Sequence, residues 1–249
     1  MGIVVTPDFL HANFFFVDIV GLSDPIMSTK TQIKKIKVLN ESIKECDSYK
    51  NTPKKSILTL PSGDGMCLGF LQDTQLPLLL ASQLHEKLNE YNKGKIPSEI
   101  VKIRIGLHSG NCFLVDDIVG NKSVWGPGIV LCRRVMDFGD DGHILLTARL
   151  AEDLYELSDE YKQHIKPVHD FTIKHGQTIL VYSAYGKGFG NPKHPTKGKA
   201  ERSKIGEEYI RMQKTTLYSK IIVDLTIRNS KTTRKSRYIT KPRKSTTKT

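Results

Sequence analysis

The sequence predicts an α+β fold with a ferredoxin-like β-α-β-β-α-β core, followed by a basic, largely disordered C-terminal tail. Three observations support this prediction. An apolar strand, a helical stripe and a hairpin follow one another between residues 13 and 71. A second helix and another strand complete the pattern by residue 107. Beyond residue 186 the composition shifts to lysine, arginine, serine and threonine.

The first four elements follow from apolar spacing and turn residues. The run NFFFVDIV (13–20) is apolar apart from Asn13 and Asp18, which indicates a buried strand ending before Gly21. Apolar residues at helical spacing predict a helix over 28–46. Two short apolar runs, 56–60 and 66–71, flank PSGDG, a sequence typical of a hairpin turn.

The later elements complete and then extend this core. Leucines one helical turn apart predict the next helix, and the alternating VKIRIGL predicts the strand that follows it. The remaining predicted elements, in order, are a helix (76–91), strands (101–107 and 111–119), a helix (126–138), a strand (143–147), a helix (148–157) and a final strand pair or bent strand (173–185).

Composition favours a cytoplasmic globular protein. The 249 residues suffice for one sizeable core and a tail, and 26% of them are charged. No apolar run approaches the roughly 20 residues of a membrane-spanning helix, and the N-terminus lacks a secretory pattern. The four cysteines form no CxxC pair, so we expect buried free thiols in a reducing compartment.

The positive charge is concentrated at the C-terminal end. Residues 187–249 carry a net charge of +14, whereas residues 1–186 carry −2. We therefore divide the chain into a folded body (1–186) and a basic extension (187–249) with a short helix and a strand, disordered from about residue 229. The extension is expected either to bind an anionic partner, such as nucleic acid or a membrane surface, or only to aid solubility.

Two carboxylates are candidates for a metal site. Asp18 interrupts the apolar run of the first strand, and Asp64 lies in the glycine turn of the hairpin. Hard divalent cations such as Mg²⁺ prefer carboxylate and carbonyl oxygens. Asp64 could equally be an ordinary turn residue, but a carboxylate among apolar neighbours needs a partner if it is buried. The backbone after Asp18 could present N–H groups to phosphate.

Four blocks in order resemble a known family. FVDIVGLSD, PSGDGMCLGF, IRIGLHSG and VWGPGIVLCRRVMDFGDDGHILLT are similar to the class III nucleotidyl (adenylyl/guanylyl) cyclase catalytic domain. The resemblance covers roughly residues 13–185, and KHGQTILVYSAYG resembles the closing strand of the family. Together, the four blocks are much more specific than any one of them.

The resemblance implies a role for each matching residue. Asp18 and Asp64 match the metal-binding aspartates, with the Ile19 carbonyl as a further ligand of two Mg²⁺ or Mn²⁺ ions. Arg134 matches the arginine that stabilises the transition state, as suits a permanently charged guanidinium. The loop over the triphosphate is matched by Ile19, Val20, Gly21, Leu22 and Ser23.

The family works as a dimer in which metals and base pocket belong to different subunits. The set of metal-binding residues is matched by Asp18 and Asp64. The set that forms the base pocket and supplies the arginine is matched by Trp125-Gly126 and Arg134. One chain that carries both sets implies a symmetric homodimer with two sites. The substrate would be a nucleoside triphosphate, and the products a cyclic nucleotide and pyrophosphate.

The sequence departs from the family at three nucleotide-binding positions. Val130 stands where the family usually has an asparagine, and it can make no side-chain hydrogen bond. The usual purine-selecting lysine and aspartate are replaced by Leu60 and Ser123, so the base cannot be deduced from them. Arg133 could substitute at the site, although helical geometry turns it about 100° from Arg134.

Other basic residues and functions remain open at this point. Lys174 or His175 could reach the phosphates, matching a basic residue of the family. The leading hypothesis is a cyclase. The alternative is a degenerate cyclase-fold module that binds a nucleotide or a partner without turnover, motivated by Val130, Leu60 and Ser123. A third possibility is a nucleic-acid-associated protein acting through the basic extension.

Overall fold

The structure is a computed structural model that describes residues 9–116, 118, 120, 122–172 and 178–196. The predictions for Lys174 and His175 therefore lie outside the described residues. The same holds for the helix, the strand and the disordered stretch predicted within the basic extension.

Strands and helices alternate along the described chain. The strands are β1 (Phe9–Ile19), β2 (Ile57–Ser62), β3 (Gly65–Phe70), β4 (Ile103–Asp116), β5 (Lys122–Trp125), β6 (Ile144–Thr147), β7 (Ile165–Thr172) and β8 (Thr178–Ala184). The helices are α1 (Thr29–Glu45), α2 (Asp47–Lys50), α3 (Leu76–Asn92), α4 (Pro127–Phe138), α5 (Ala148–Leu157) and α6 (Tyr161–His164), with a 3₁₀ turn at Lys54–Ser56.

Within the described residues, eight strands form one sheet in the order β2-β3-β1-β4-β6-β8-β7, with β5 paired to β4. Strands β4 and β6 run parallel, and the other pairs are antiparallel. The first four strands in this order have the antiparallel arrangement of a ferredoxin-like sheet. The predicted α+β class and its extended core are confirmed.

Helices cover both faces of the sheet, and β1 shows how. Its side chains alternate, so Phe15 and Val17 join the core that α1, α3 and α5 cover. Phe14 and Phe16 belong to the opposite core, beneath α4. At Gly106 on β4 an added Cβ would lie 2.5 Å from the Cys132 carbonyl oxygen, so α4 packs directly against the strand backbone.

The structure corrects two predicted boundaries and adds three short elements. The strands predicted at 101–107 and 111–119 are one continuous strand, β4. Gly110 is not a turn residue but a point of close packing, where an added Cβ would lie 2.4 Å from the His108 ring. The short strand β5 and the one-turn helices α2 and α6 were not predicted, and the final strand pair begins earlier, at β7.

None of the helices in the described ranges has both the length and the apolar character needed to cross a lipid bilayer.

Candidate active site

The structure brings Asp18 and Asp64 to one edge of the sheet, as predicted. Asp18 is opposite Gly65 in the β1–β3 ladder, and the Ile19 N–H donates to the Asp64 carbonyl over 3.2 Å. A Cβ at Gly65 would lie 1.9 Å from the Val17 carbonyl oxygen. Glycine at this position therefore permits the close approach that sets the two carboxylates side by side.

Asp18 is a buried carboxylate whose ionised form is disfavoured by its surroundings. The residue is only 6% exposed. Burial, followed by repulsion from Asp64, raises the pKa of Asp18 above the ordinary value of 3.8. Hydrogen bonds and charge from Arg104 act in the opposite direction. The Oδ1 atom of Asp18 is buried and has no hydrogen-bond partner. Buried carboxylate oxygens without a donor are rare in folded proteins, so this oxygen is available to a ligand.

Arg104 is the site residue that the sequence analysis missed. Both its Nε and its Nη2 donate to Asp18 Oδ2, over 3.0 and 2.8 Å, from the position opposite Asp18 on β4. Its Nη1 donates to the Asp137 carbonyl over 3.2 Å. The available signal was an arginine between two apolar residues in an alternating strand, but its partner depended on the strand register.

The two carboxylates fit a hard divalent cation only with further oxygens. Among the described residues, no group of three or more His, Cys, Asp and Glu side chains could hold a metal ion. The two carboxylates supply oxygen ligands of the kind that Mg²⁺ and Mn²⁺ prefer. The Ile19 carbonyl, which the family resemblance implies as a further ligand, accepts a hydrogen bond from the Leu22 N–H over 3.3 Å. Oxygens of a bound substrate would have to complete the coordination.

The loop after β1 offers fewer N–H groups to phosphate than the sequence indicated. The N–H groups of Ile19, Val20 and Leu22 donate to backbone carbonyls of Asp64, Lys102 and Ile19. Gly21 and Ser23 are exposed, and Gly21 has a left-handed φ of 73°. Buried Leu22 holds the loop against the core, so Gly21 and Ser23 are its candidate phosphate donors.

Arg134 lies in a pocket of about 720 Å³ between α4 and the hairpin. Leu60 and Phe16 form part of its sheet side, and Val130 lies on its helix side. Neither Asp18 nor Asp64 lines this pocket. Within one chain, the pocket that Arg134 lines therefore does not include the carboxylate pair that the family resemblance assigned to the same reaction.

Arg133 lines the same pocket as Arg134, although the sequence analysis expected it to face away. Its guanidinium lies 5.9 Å from the centre of the Phe16 ring, a cation–π contact. The pocket is wide enough to extend across the two neighbouring positions of the helix. Arg133 thus brings a second positive charge to a wall where Val130 has no polar group.

The remaining predicted residues fall away from this pocket. Ser123 pairs with Val115 in the β4–β5 ladder and is not among the residues lining the pocket. Lys174 lies outside the described residues. Trp125 is 62% exposed at the end of β5, opposite Phe113.

The cysteines and the histidine near the sheet have structural environments. All four cysteines are free and buried, and burial raises the pKa of Cys46 to about 11. Burial also lowers the pKa of His108 to about 4, and its Nδ1 is hydrogen-bonded to Thr147 Oγ1 over 2.8 Å. These features confirm the predicted buried free thiols and give His108 a structural environment.

Residues 5–185 match the family described as the adenylate and guanylate cyclase catalytic domain. This match covers most of the chain. The chain belongs to that family. No curated protein matches the sequence of this cyclase domain.

Solved structures share the fold of this cyclase domain. One is an adenylate/guanylate cyclase/hydrolase from Silicibacter pomeroyi, with a TM-score of 0.56, 15% identity, and coverage of 72% of this chain and 98% of that one. Another is the guanylate cyclase domain of RhGC from Catenaria anguillulae in complex with GTP (TM-score 0.55, 16% identity, coverage 73% and 99%). A third, from Blastocladiella emersonii, is described as a non-canonical dimeric guanylyl cyclase domain (TM-score 0.53, 20% identity, coverage 73% and 99%).

We predict that Asp64→Asn stabilises the metal-free cyclase domain. Removing the Asp64 charge relieves the repulsion that disfavours ionised Asp18, and we expect a gain of about 0.5–1 kcal/mol at pH 7. The melting temperature should rise by about 1–4 °C. Calorimetry without divalent cations measures the change.

The stability gain expected from Asp64→Asn depends on pH. The gain should be complete above the raised pKa of Asp18 and shrink as the pH falls through it, because protonated Asp18 is no longer repelled. Glu86→Gln is the matched control, since it removes one exposed carboxylate from α3 far along the chain. A destabilised Asp64→Asn protein at pH 7 would contradict the proposed repulsion.

Proposed function

We propose that this chain is a nucleotidyl cyclase that converts a nucleoside triphosphate into a 3′,5′-cyclic nucleotide and pyrophosphate. The observation that supports the proposal is the placement of the three candidate residues in one chain. Asp18 and Asp64 converge at one sheet edge, and Arg134 lines a pocket that includes neither of them. A second copy could bring its Arg134 to the first copy's carboxylates.

The reaction requires few groups from the protein. The ribose 3′-oxygen forms a bond to the α-phosphorus, the bond from that phosphorus to the bridging oxygen breaks, and pyrophosphate leaves with the electron pair. The hydroxyl proton passes to solvent. When bound at Asp18 and Asp64, two Mg²⁺ or Mn²⁺ ions would lower the pKa of the hydroxyl and neutralise the leaving phosphates.

The chain's own residues bind and orient the triphosphate. The N–H groups of Gly21 and Ser23 suit phosphate oxygens at the end of β1. Arg134 from the partner copy suits the charge that builds on the α-phosphoryl oxygens, because its guanidinium keeps its charge and offers several donors. Lys174 remains a candidate phosphate ligand from the sequence alone.

The pocket between α4 and the hairpin is the proposed base site. Its volume of about 720 Å³ falls in the usual range for small-molecule pockets. Phe16, Leu60 and Val130 give it apolar walls, and Arg133, Arg134 and Asp137 add charged groups. With Leu60 and Ser123 at the purine-selecting positions, we assign no single base.

Exposed apolar residues support a homodimer. Trp125, Val115 and Phe9 are 62%, 42% and 49% exposed, and all three lie along the β4–β5 hairpin or the strand end beside it. Phe9 stacks edge-to-face on Phe113, whose cross-strand partner is Trp125. Such a contiguous exposed apolar surface is typical of a protein–protein contact.

Mixed dimers test the composite site. Asp18→Ala and Arg134→Ala should each lower cyclic nucleotide formation by at least about 10²-fold, while co-expression of the two should restore about a quarter of wild-type activity. Random pairing makes half of the dimers mixed, and each mixed dimer keeps one intact site of two. The assay uses Mn²⁺ with each nucleoside triphosphate in turn.

The result separates the possible outcomes. Calorimetry of both variants controls for loss of folding. No recovery on co-expression would contradict the shared site, and wild-type activity in Asp18→Ala would contradict the cyclase proposal itself.

The second candidate function is a degenerate module that binds nucleotide without turnover. Val130 favours it, because this residue is 39% exposed in the pocket and has no polar atom to offer. A lost transition-state hydrogen bond typically lowers the rate by about 10²–10³.

Val130→Asn distinguishes the two candidates. If the chain is a weakened cyclase, this change should raise kcat by about 10²-fold, since the amide restores donors beside the nucleotide. Val130→Ala is the control, because it also removes the valine side chain but adds no donor. Nucleotide binding without product in both variants would favour the degenerate module.

A cytoplasmic location is proposed from the four buried free cysteines, which suit a reducing compartment.

The basic extension is proposed to bind an anionic partner, because residues 187–249 carry a net charge of +14.

Deletion of residues 229–249 tests the role of the extension. The full chain should bind anionic vesicles or duplex DNA with an affinity that falls steeply between 50 and about 200 mM salt, and the truncated chain should lose most of it. Co-sedimentation and fluorescence anisotropy measure the two cases. Equal binding by both chains would leave the extension with a solubilising role only.

A further inference from the structure

Arg104 occupies the carboxylate that the proposed metal would need. Two of its nitrogens, Nε and Nη2, donate to the same oxygen, Asp18 Oδ2, over 3.0 and 2.8 Å. The contact is largely shielded, because the two side chains are only 17% and 8% exposed. An ion pair shielded in this way is much stronger than a surface pair.

A divalent cation bound to Asp18 would lie close to the Arg104 guanidinium. The second oxygen, Oδ1, has no hydrogen-bond partner, so it is chemically ready for a metal. An ion there would share one carboxylate with Arg104, and two cations on one buried carboxylate repel each other. The guanidinium and the metal are therefore competitors for Asp18.

Arg104 has a second anionic partner ready to receive it. Its Nη2 lies 3.3 Å from Asp137 Oδ1, and its Nη1 donates to the Asp137 carbonyl over 3.2 Å. The Asp137 side chain is half exposed, so this pairing involves much less desolvation than the pairing with Asp18. The guanidinium can therefore leave Asp18 and remain attached to the end of α4.

We propose that Arg104 is an internal competitor of the metal at Asp18, which weakens metal binding at this carboxylate until an anion draws the guanidinium away. The inference rests on the proposed function for the assignment of a metal to Asp18. A triphosphate is such an anion, because it offers several oxygens to a guanidinium. Metal and triphosphate then bind cooperatively, and the metal binds weakly to the nucleotide-free protein.

The test measures Mn²⁺ binding to the full chain without nucleotide, by loss of the electron paramagnetic resonance signal of free Mn²⁺. Arg104→Gln should bind Mn²⁺ about tenfold or more tightly than wild type, because it removes a charged hydrogen-bond donor from Asp18. Asp18→Asn in the Arg104→Gln background should abolish this gain. Equal affinities of wild type and Arg104→Gln would overturn the proposal.

Lys102→Gln is the matched control for net charge. Lys102 precedes β4 and pairs with Asp141 over 3.0 Å, and its side chain is 54% exposed. Neutralising it should change the Mn²⁺ affinity by less than about twofold, since screening weakens charges without direct contact. A gain equal to that of Arg104→Gln would mean that general electrostatics, not competition for Asp18, sets the affinity, and would also overturn the proposal.

Asp137→Asn gives a second, opposite prediction if Arg104→Gln fails to fold. Loss of the alternative anionic partner should hold Arg104 on Asp18 and weaken Mn²⁺ binding by about threefold or more. Unchanged or tighter binding would contradict the competition.

The proposal and the cyclase function fail separately. Tighter Mn²⁺ binding by Arg104→Gln with no cyclic nucleotide from any triphosphate would keep the competition and reject the cyclase. Cyclic nucleotide formation with equal Mn²⁺ affinities in wild type and Arg104→Gln would do the reverse.

Discussion

The candidate site depends on one buried charge, the carboxylate of Asp18. Burial and the neighbouring Asp64 disfavour its ionised form, and Arg104 is the group that compensates. A carboxylate in such surroundings costs stability unless it is paired. The unpartnered Oδ1 of this carboxylate is the oxygen available to the metal proposed for this site.

The second constraint is the close contact between α4 and β4. At Gly106 there is no room for a side chain between the strand and the Cys132 backbone, so the helix lies almost on the sheet. This contact fixes the helix face that carries Val130, Arg133 and Arg134 toward the hairpin. Phe16, which lines the pocket, and Asp18 both belong to β1. The strand therefore holds the pocket and the carboxylate pair in a fixed relative position, as a site assembled from two chains would need.

The departures from the family's usual residues concentrate in the pocket rather than at the carboxylates. Leu60 and Val130 replace polar residues there, whereas the aspartates, their glycines and Arg134 are retained. Arg133 lies among these apolar replacements, in contact with Phe16. On the proposed roles, the aspartates and the arginine that act on the phosphates are present, whereas two positions expected to contact the nucleotide have no polar side chain.

The sequence by itself determined the fold class, most elements and the convergence of Asp18 with Asp64. It could do so because apolar periodicity and a glycine turn are local signals that also bring the ends of β1 and the hairpin together. It misplaced the strand break near Gly110, because a small residue needed for close packing resembles one needed for a turn. Arg104 and the position of Arg133 were decided only by tertiary structure. Strand register placed Arg104 opposite Asp18, and the width of the pocket allowed Arg133 to share it. Neither the register of β4 against β1 nor the width of the pocket can be deduced from the spacing of residues along the chain.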